Sequence, residues 1–337
     1  MHHAVRLTAP APIDADPLVW SEVETPEPLP GQLLVKVVAC GVCRSNLHMI
    51  EGDWLSGGLP GISPIVPGHE VTGVVAALGE GVTDFEVGDP VGVQPLWWTC
   101  EKCEFCLSGR EELCMERRIT GEMVDGGYAE YMLSNAAHTY HVPDGLDLVE
   151  IAPLFCPGIT AYSAVSKLDL GPGKSVAIFG LGGVGHMAVQ FAALTGAEVV
   201  AVGRSAEHLD VARQLGAARV VNTANGADDD LAGTMDAAIN FAPADSVAQQ
   251  AIASLKRGGT VVTGVIASYG TITFAEGKTI KESILGSRAA MREVLQLAAE
   301  GKIRTVVDTF PMSRAQEVVK QLAAGQLRSR AVLYNEA

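Results

Sequence analysis

The stretch Ser175-Val-Ala-Ile-Phe-Gly-Leu-Gly-Gly-Val-Gly-His-Met-Ala-Val-Gln-Phe-Ala-Ala-Leu194 decides how the second half of the chain folds. Its first five residues form a continuous β-prone run, the pattern of a strand buried on both faces. From Val184 the pattern changes to apolar residues at helical spacing, Val184, Met187, Ala188, Phe191 and Ala192, which lie on one stripe. Between them sits Gly180-x-Gly-x-x-Gly185. A glycine pattern of this kind is weak alone, but between a strand and a helix it is the signature of a dinucleotide-binding turn. Gly180 permits the tight turn, Gly182 lets backbone approach a pyrophosphate at the helix N-terminus, and Gly185 allows close helix–strand packing. Gly183 and Val184, at the helix start, join the candidate cofactor residues.

Downstream the alternation continues: Glu198–Val202, a helix ending near Gly216, Arg219–Val221, Asp236–Phe241, a helix through Leu255, Thr260–Val265, and a last strand over Glu282–Leu285. Alternating strands and helices predict a doubly wound α/β unit with a parallel sheet, and place Gly264 and Val265 at a strand end facing cofactor. At the end of the second strand, where NAD-binding versions carry an acidic residue for the ribose, this chain has Gly203-Arg204-Ser205. A guanidinium and a hydroxyl suit a 2'-phosphate, so NADP(H) is expected over NAD(H).

Upstream, Val5–Val142 is rich in Gly and Pro with short β-type runs such as Leu33–Val38 and Glu70–Ala76, which reads as an irregular, mainly β domain. After the α/β unit two helices are expected to close the chain. One carries Met291, Val294, Leu295 and Ala298 on a face and stops at Gly301; the other starts at Ser313 with Gln316 completing a capping box and ends before Gly325. The predicted organisation is a catalytic domain over 1–153 and 287–337 and a dinucleotide-binding domain over 154–286.

At 337 residues two domains are favoured over one, and 48% apolar against 19% charged residues excludes a disordered chain. A formal charge of −15 repels phosphate backbones and anionic lipid, so neither nucleic acid nor membrane is an expected partner. No long apolar span and no apolar leader core are present, and the expected location is the cytoplasm.

Four of the seven cysteines, Cys100, Cys103, Cys106 and Cys114, fall in one short segment. Four soft thiolates so spaced suit a closed tetrahedral structural zinc; the spacing matches neither common iron–sulfur run. The remaining chemistry lies in Cys40-Gly-Val-Cys43-Arg-Ser-Asn-Leu-His48, Gly68-His69-Glu70 and Phe155-Cys-Pro-Gly-Ile-Thr160. Singly each is weak. In this order, with the four-cysteine segment and the glycine turn, they resemble the zinc-containing alcohol dehydrogenases of the medium-chain dehydrogenase/reductase superfamily, over essentially the whole chain.

The resemblance implies a GroES-like catalytic domain with a Rossmann domain and a second, catalytic zinc held by Cys43, His69 and Cys156, with Glu70 behind the metal and able to ligate it when substrate is absent. It implies a proton path from Ser45 through the cofactor ribose to His48, a nicotinamide packed near Thr160 and Val184, and pyrophosphate contacts from Arg44 and Arg330. Three features depart from the pattern. Asn46 stands where relatives have an acidic partner for the zinc-bound histidine. Pro95 replaces a pocket aromatic, leaving Ser45, Trp54 and Pro95 around a roomier substrate pocket with Trp97 and Trp98 nearby. The third is Gly203-Arg204. Cys40 is read as a packed apolar residue, the other histidines as structural, and Asp228–Asp230 as a solvated loop.

The function expected is therefore hydride transfer between NADP(H) and a primary or aromatic alcohol or aldehyde, run as an aldehyde reductase, in a homo-oligomer with a tetramer favoured and a dimer possible. An NAD-dependent alcohol dehydrogenase of the same family, a zinc-free reductase of the superfamily and a non-catalytic cofactor-sensing protein are the rivals. Ser45 and His48 count against the last, since a sensor needs no proton relay.

Overall fold

The computed structural model describes every residue except Asn225, Ala227, Asp228, Arg328 and Ala337, so the start of the expected acidic loop lies outside the described residues. The chain divides into two compact units, one of Met1–Cys156 with the segment from Ser287 onward, the other Pro157–Gly286. The break falls after Cys156, later than the expected Pro153. The turn Ala152–Phe155 belongs with the first unit because the Phe155 ring packs where Gly92 has no side chain; a Cβ there would lie 1.8 Å from Phe155 Cζ.

In the first unit β1 (His2–Leu7) pairs antiparallel with β2 (Leu18–Val23). The spine is β3 (Gln32–Gly41), longer at both ends than the run Leu33–Val38. It pairs with β4 (Val71–Leu78), which continues to β5 (Pro90–Val93). A small ladder joins β6 (Leu96–Trp98) and β7 (Arg118–Ile119), β8 (Tyr131–Asn135) also pairs β3, and β9 (Thr139–His141) pairs β5. Helix α1 (Arg44–Glu51) follows β3 directly, with Leu47, Met49 and Ile50 buried; α2 (Glu104–Leu107) and α3 (Leu148–Ile151) are single turns. The core of this unit gathers Leu33, Val35, Val37, Val71, Val75, Tyr128 and Met132. Each fully buried aliphatic side chain there contributes about 1.5–3 kcal/mol.

The second unit begins with α4 (Pro157–Ser166) and is built from β10 (Ser175–Phe179), α5 (Gly183–Leu194), β11 (Glu198–Gly203), α6 (Ala206–Gln214), β12 (Arg219–Asn222), β13 (Met235–Asn240), α7 (Asp245–Ser254), β14 (Leu255–Thr263) and β15 (Thr279–Glu282). Among the described residues the sheet order is β12-β11-β10-β13-β14-β15, all parallel, which is the doubly wound Rossmann order. Every residue of β10 is buried, as its unbroken β-prone run requires. The last strand is three residues earlier than expected. Thr279–Glu282 is in register with Thr260–Thr263, and Leu285, at φ +47°, has left the extended region. An edge strand buries one face only, and Ile280 alone meets that need.

The chain then returns to the first unit through α8 (Arg288–Ala299), β16 (Val307–Pro311), α9 (Ala315–Ala323) and β17 (Arg330–Tyr334). The two helices do not close it: β17 pairs antiparallel with β3, and β16 pairs parallel with β17. Nor is Ser313 a capping-box start. The Gln316 side chain is drawn away, accepting from Leu18 N at 3.0 Å and donating to Ile13 O at 2.8 Å. Met291, Val294, Leu295 and Ala298 form the buried stripe of α8 as expected. Among the described residues no single helix is long and apolar enough to cross a membrane.

Candidate active site

Three chain segments bring the first donor set together at one end of the first unit's sheet. Cys43 caps α1, His69 and Glu70 precede β4, and Cys156 ends the turn from Ala152; one ligand atom from each lies within 4.8 Å of the others. The two thiols are 3.8 Å apart and all four side chains are buried. Two thiols, an imidazole and a carboxylate so placed are the borderline-soft, low-coordinate donor set that suits zinc. The hydrogen bond with Cys156 holds the Cys43 thiol well below its usual range against the cost of burial, with Arg330 and His69 adding to it. Burial pushes His69 down, but Cys43 and Glu122 outweigh it and hold the imidazole up at about 9.

Glu70 is fully buried and does not stand alone. Arg330 Nε lies 3.1 Å from its Oε2, and the Arg330 Nη2 pairs with its other oxygen. The guanidinium expected on pyrophosphate is thus engaged with a candidate ligand. Arg44 is exposed and donates to the Leu322 carbonyl at 3.1 Å.

Ser45 and His48 stand one turn apart on α1, hence on one face. Ser45 Oγ is 3.3 Å from His69 Nε2. His48 Nδ1 is 2.7 Å from Asp53 Oδ2, and its ring tilts against Trp54 at 5.6 Å. Asp53 was within reach of sequence reasoning. Gly52, at φ +85°, ends α1 and turns the chain back so that Asp53 N donates to His48 O at 2.9 Å. Pro95 is buried between β5 and β6, its carbonyl accepting from Thr120 N at 2.8 Å.

The second donor set is local. Cys100, Cys103, Cys106 and Cys114 put their sulfurs within 4.8 Å of one another, with Cys103–Cys106 and Cys100–Cys114 both 3.5 Å. Main-chain N–H groups, that of Lys102 foremost, lower the Cys100 thiol to about 7. Four thiols and no other donor leave no open position, the arrangement of a structural zinc.

In the second unit Gly180 is at φ +89°, and a Cβ there would meet Ala242 N at 2.7 Å. A Cβ on Gly185 would meet Gly180 O at 2.0 Å, so helix and strand touch through glycine. Gly182 caps α5 with open space where a side chain would stand, a cradle of backbone N–H groups for phosphate. Gly183 and Val184 open α5, and Thr160 is half-buried on α4. At the end of β11, Gly203 leads to an exposed Arg204 and to Ser205, whose side chain accepts from His208 N and caps α6. Gly264 and Val265 follow β14, Val265 O accepting from Thr263 Oγ1 at 3.0 Å.

Two residues that sequence reasoning missed reach the site from afar, one at His69 and one at its neighbour Asn46. Glu122 Oε1 is 3.5 Å from His69 Nδ1, and the buried Tyr128 donates to Asn46 Oδ1 at 3.3 Å. No local signal marks either.

Residues 29–144 match the family model of the alcohol dehydrogenase GroES-like domain, and residues 183–300 that of the zinc-binding dehydrogenases. An alcohol dehydrogenase of Geobacillus stearothermophilus is 41% identical over 329 residues, which cover 94% of this chain and 96% of that one. The chain belongs to the zinc-dependent alcohol dehydrogenase family of the medium-chain dehydrogenase/reductase superfamily. Among solved members of that family, an alcohol dehydrogenase of Aeropyrum pernix superposes with a TM-score of 0.90 at 30% identity, covering 98% of this chain and 99% of that one. The acetophenone reductase of Geotrichum candidum, solved with NAD, gives 0.87 at 30% identity, covering 99% and 97%. The family assignment takes in both units, the GroES-like one with both donor sets and the Rossmann one with the glycine turn.

Proposed function

We propose that this alcohol dehydrogenase interconverts primary or aromatic alcohols and their aldehydes with NADP(H) as the preferred cofactor and acts as an aldehyde reductase. The observation that carries the reading is the convergence of Cys43, His69 and Cys156 with Ser45 Oγ at 3.3 Å from the histidine. Cys43, His69 and Cys156 would hold the catalytic zinc, with Glu70 held behind them by Arg330; the four-cysteine cluster would hold the structural one. When bound, zinc supplies a Lewis acid beside the reacting oxygen, and the nicotinamide supplies or takes up hydride.

The chain's own residues handle the proton. In reduction Ser45 holds the hydroxyl proton that the product oxygen needs, next to the metal ligand His69. His48, half-exposed and fixed by Asp53, is the solvent end of that path. Trp54 and Pro95 with Ser45 would border the substrate, leaving room for an aromatic ring. The Geotrichum relative is named for reducing an aromatic ketone, which supports a carbonyl-reducing role.

For the cofactor, Gly180, Gly182, Gly183, Val184 and Gly185 would cradle the pyrophosphate, with Thr160, Gly264 and Val265 toward the nicotinamide. Arg204 and Ser205 would take the 2'-phosphate. The guanidinium is exposed, and Ser205, which uses its oxygen as the cap of α6, keeps its hydroxyl hydrogen for donation. A phosphate there also meets the positive end of the α6 dipole. Two sets of reduced thiols suit a cytoplasmic protein. Ile266, Ile272, Phe274 and Ile284, exposed on the segment leading to and past edge strand β15, support a homo-oligomer, a tetramer by our reading.

Metal analysis with a turnover assay tests the reading. Two zinc ions per chain and benzaldehyde reduction that is lost in Cys43→Ser along with one zinc are expected; turnover by a protein with a single zinc per chain would overturn it.

A further inference from the structure

We propose that Glu122, and not Asn46, accepts the second ring N–H of His69 and so sets how tightly the active site holds its metal. The inference rests on the reading of Cys43, His69 and Cys156 as the catalytic zinc site.

A histidine that binds metal through one ring nitrogen carries hydrogen on the other, and in a buried place that N–H needs an acceptor. His69 is 2% exposed. Its Nε2 lies 3.3 Å from Ser45 Oγ, two residues after Cys43, while its Nδ1 points to Asn46 and Glu122, so Nδ1 is the nitrogen to be satisfied. Nδ1 has two polar neighbours, Asn46 Nδ2 at 3.4 Å and Glu122 Oε1 at 3.5 Å. The first is a donor facing a donor. In this orientation the Asn46 oxygen accepts from the Tyr128 hydroxyl at 3.3 Å, and both residues are fully buried. The acceptor left is the carboxylate. Closing that gap by about 0.7 Å would give a charge-assisted hydrogen bond of ordinary length.

The placement of Glu122 is built into the fold. It sits in the turn after β7, closed by Met123 N to Ile119 O and by Gly121 N to Val124 O, both 2.8 Å, and tied by Gly61 N to Glu122 O at 2.8 Å. The turn lies directly on the backbone before His69. Gly121, at φ +69°, would place a Cβ 2.6 Å from Gly68 O, and Gly126 would place one 2.0 Å from the same oxygen. Both positions must be glycine for the turn to approach, and that approach brings a buried carboxylate to an imidazole 53 residues away in sequence.

The test compares zinc loss to an excess of a metallochromic chelator from holoenzyme carrying two zinc ions per chain. Variants are Glu122→Gln, Asn46→Ala and the double variant N46D/E122Q. Glu122→Gln should release the active-site zinc 10–100-fold faster, the usual effect of losing such a partner. Asn46→Ala should stay close to the parent protein, and N46D/E122Q should recover retention by offering a carboxylate from the other side of Nδ1. Should Glu122→Gln fail to fold, Glu122→Asp carries the same comparison, with an intermediate loss expected from a carboxylate withdrawn by one methylene. Retention in Glu122→Gln equal to the parent, or loss in Asn46→Ala as large as in Glu122→Gln, would overturn the proposal. A parent protein that never holds a second zinc is a separate result, read before any variant, and overturns the site assignment beneath it.

Discussion

Arg330 and Glu70 face each other across β3. They come from β17 and from the start of β4, and they meet at Gly41, the last residue of β3, where a Cβ would lie 1.9 Å from Glu70 Oε2. The fold clears space for a buried carboxylate and supplies its counter-charge from a strand near the C-terminus. Removing one partner of a buried pair leaves an uncompensated charge, at a cost of about 3–5 kcal/mol. Arg330→Met should therefore lower the unfolding free energy by about that amount, measured by denaturant titration at neutral pH. Glu70→Gln leaves the guanidinium as the unpaired charge, but the Arg330 side chain is 11% exposed where that of Glu70 is 0%, so water can reach it and the cost should be smaller.

His186 gives the Rossmann unit a pH dependence. The ring is buried, and burial lowers its pKa from 6.5 to about 4, although its Nε2 donates to the His208 carbonyl at 3.1 Å. The unfolded chain takes up a proton near pH 6.5, the folded one only near 4, so between these values the unfolded state binds more protons. Stability contributed by the neutral ring is complete above 6.5 and falls as the pH drops toward 4, by up to about 1.4 kcal/mol per pH unit. Unfolding free energies measured across that window should show a shallower slope for His186→Gln than for the parent, by close to one proton.

What the sequence made legible follows from how local each feature is. Strand β10 was readable to the residue because it is buried on both faces, and the four-cysteine segment because its donors are neighbours along the chain. Strand β15 was misplaced because an edge strand needs only Ile280 inside. Strands β16 and β17 went unread because β16, another edge, has no buried residue and ends in Pro311, while β17 lies between β16 and β3, the latter far away in sequence. Cys43, His69 and Cys156 were placed by resemblance, and their convergence is a fact of the fold. Glu122, Tyr128 and Gly41 act at a distance, and their residue types carry no sign of it.

Asp53 would be the hidden member of the proposed proton path. It bonds His48 at 2.7 Å on the exposed side of α1 and leaves the metal donors untouched. Asp53→Asn should reduce turnover by about tenfold with zinc content unchanged, while His48→Ala should lose up to about 10²-fold, the scale of a positioned acid–base group. Partial rescue of His48→Ala by added imidazole would place the defect in proton transfer; equal losses in substrate affinity and none in turnover would remove both residues from the path.

At the end of β11 Gly203-Arg204-Ser205 stands where NAD-binding versions of the unit carry an acidic residue. The direct measurement is the initial rate of benzaldehyde reduction at neutral pH with NADPH and NADH at equal, low concentration, in the parent protein and in Arg204→Ala. A strong NADPH preference that falls by about tenfold or more in Arg204→Ala, as expected for one charge-assisted contact to the 2'-phosphate, would establish NADPH as the preferred cofactor. An NADH preference in the parent, unchanged by the substitution, would contradict it.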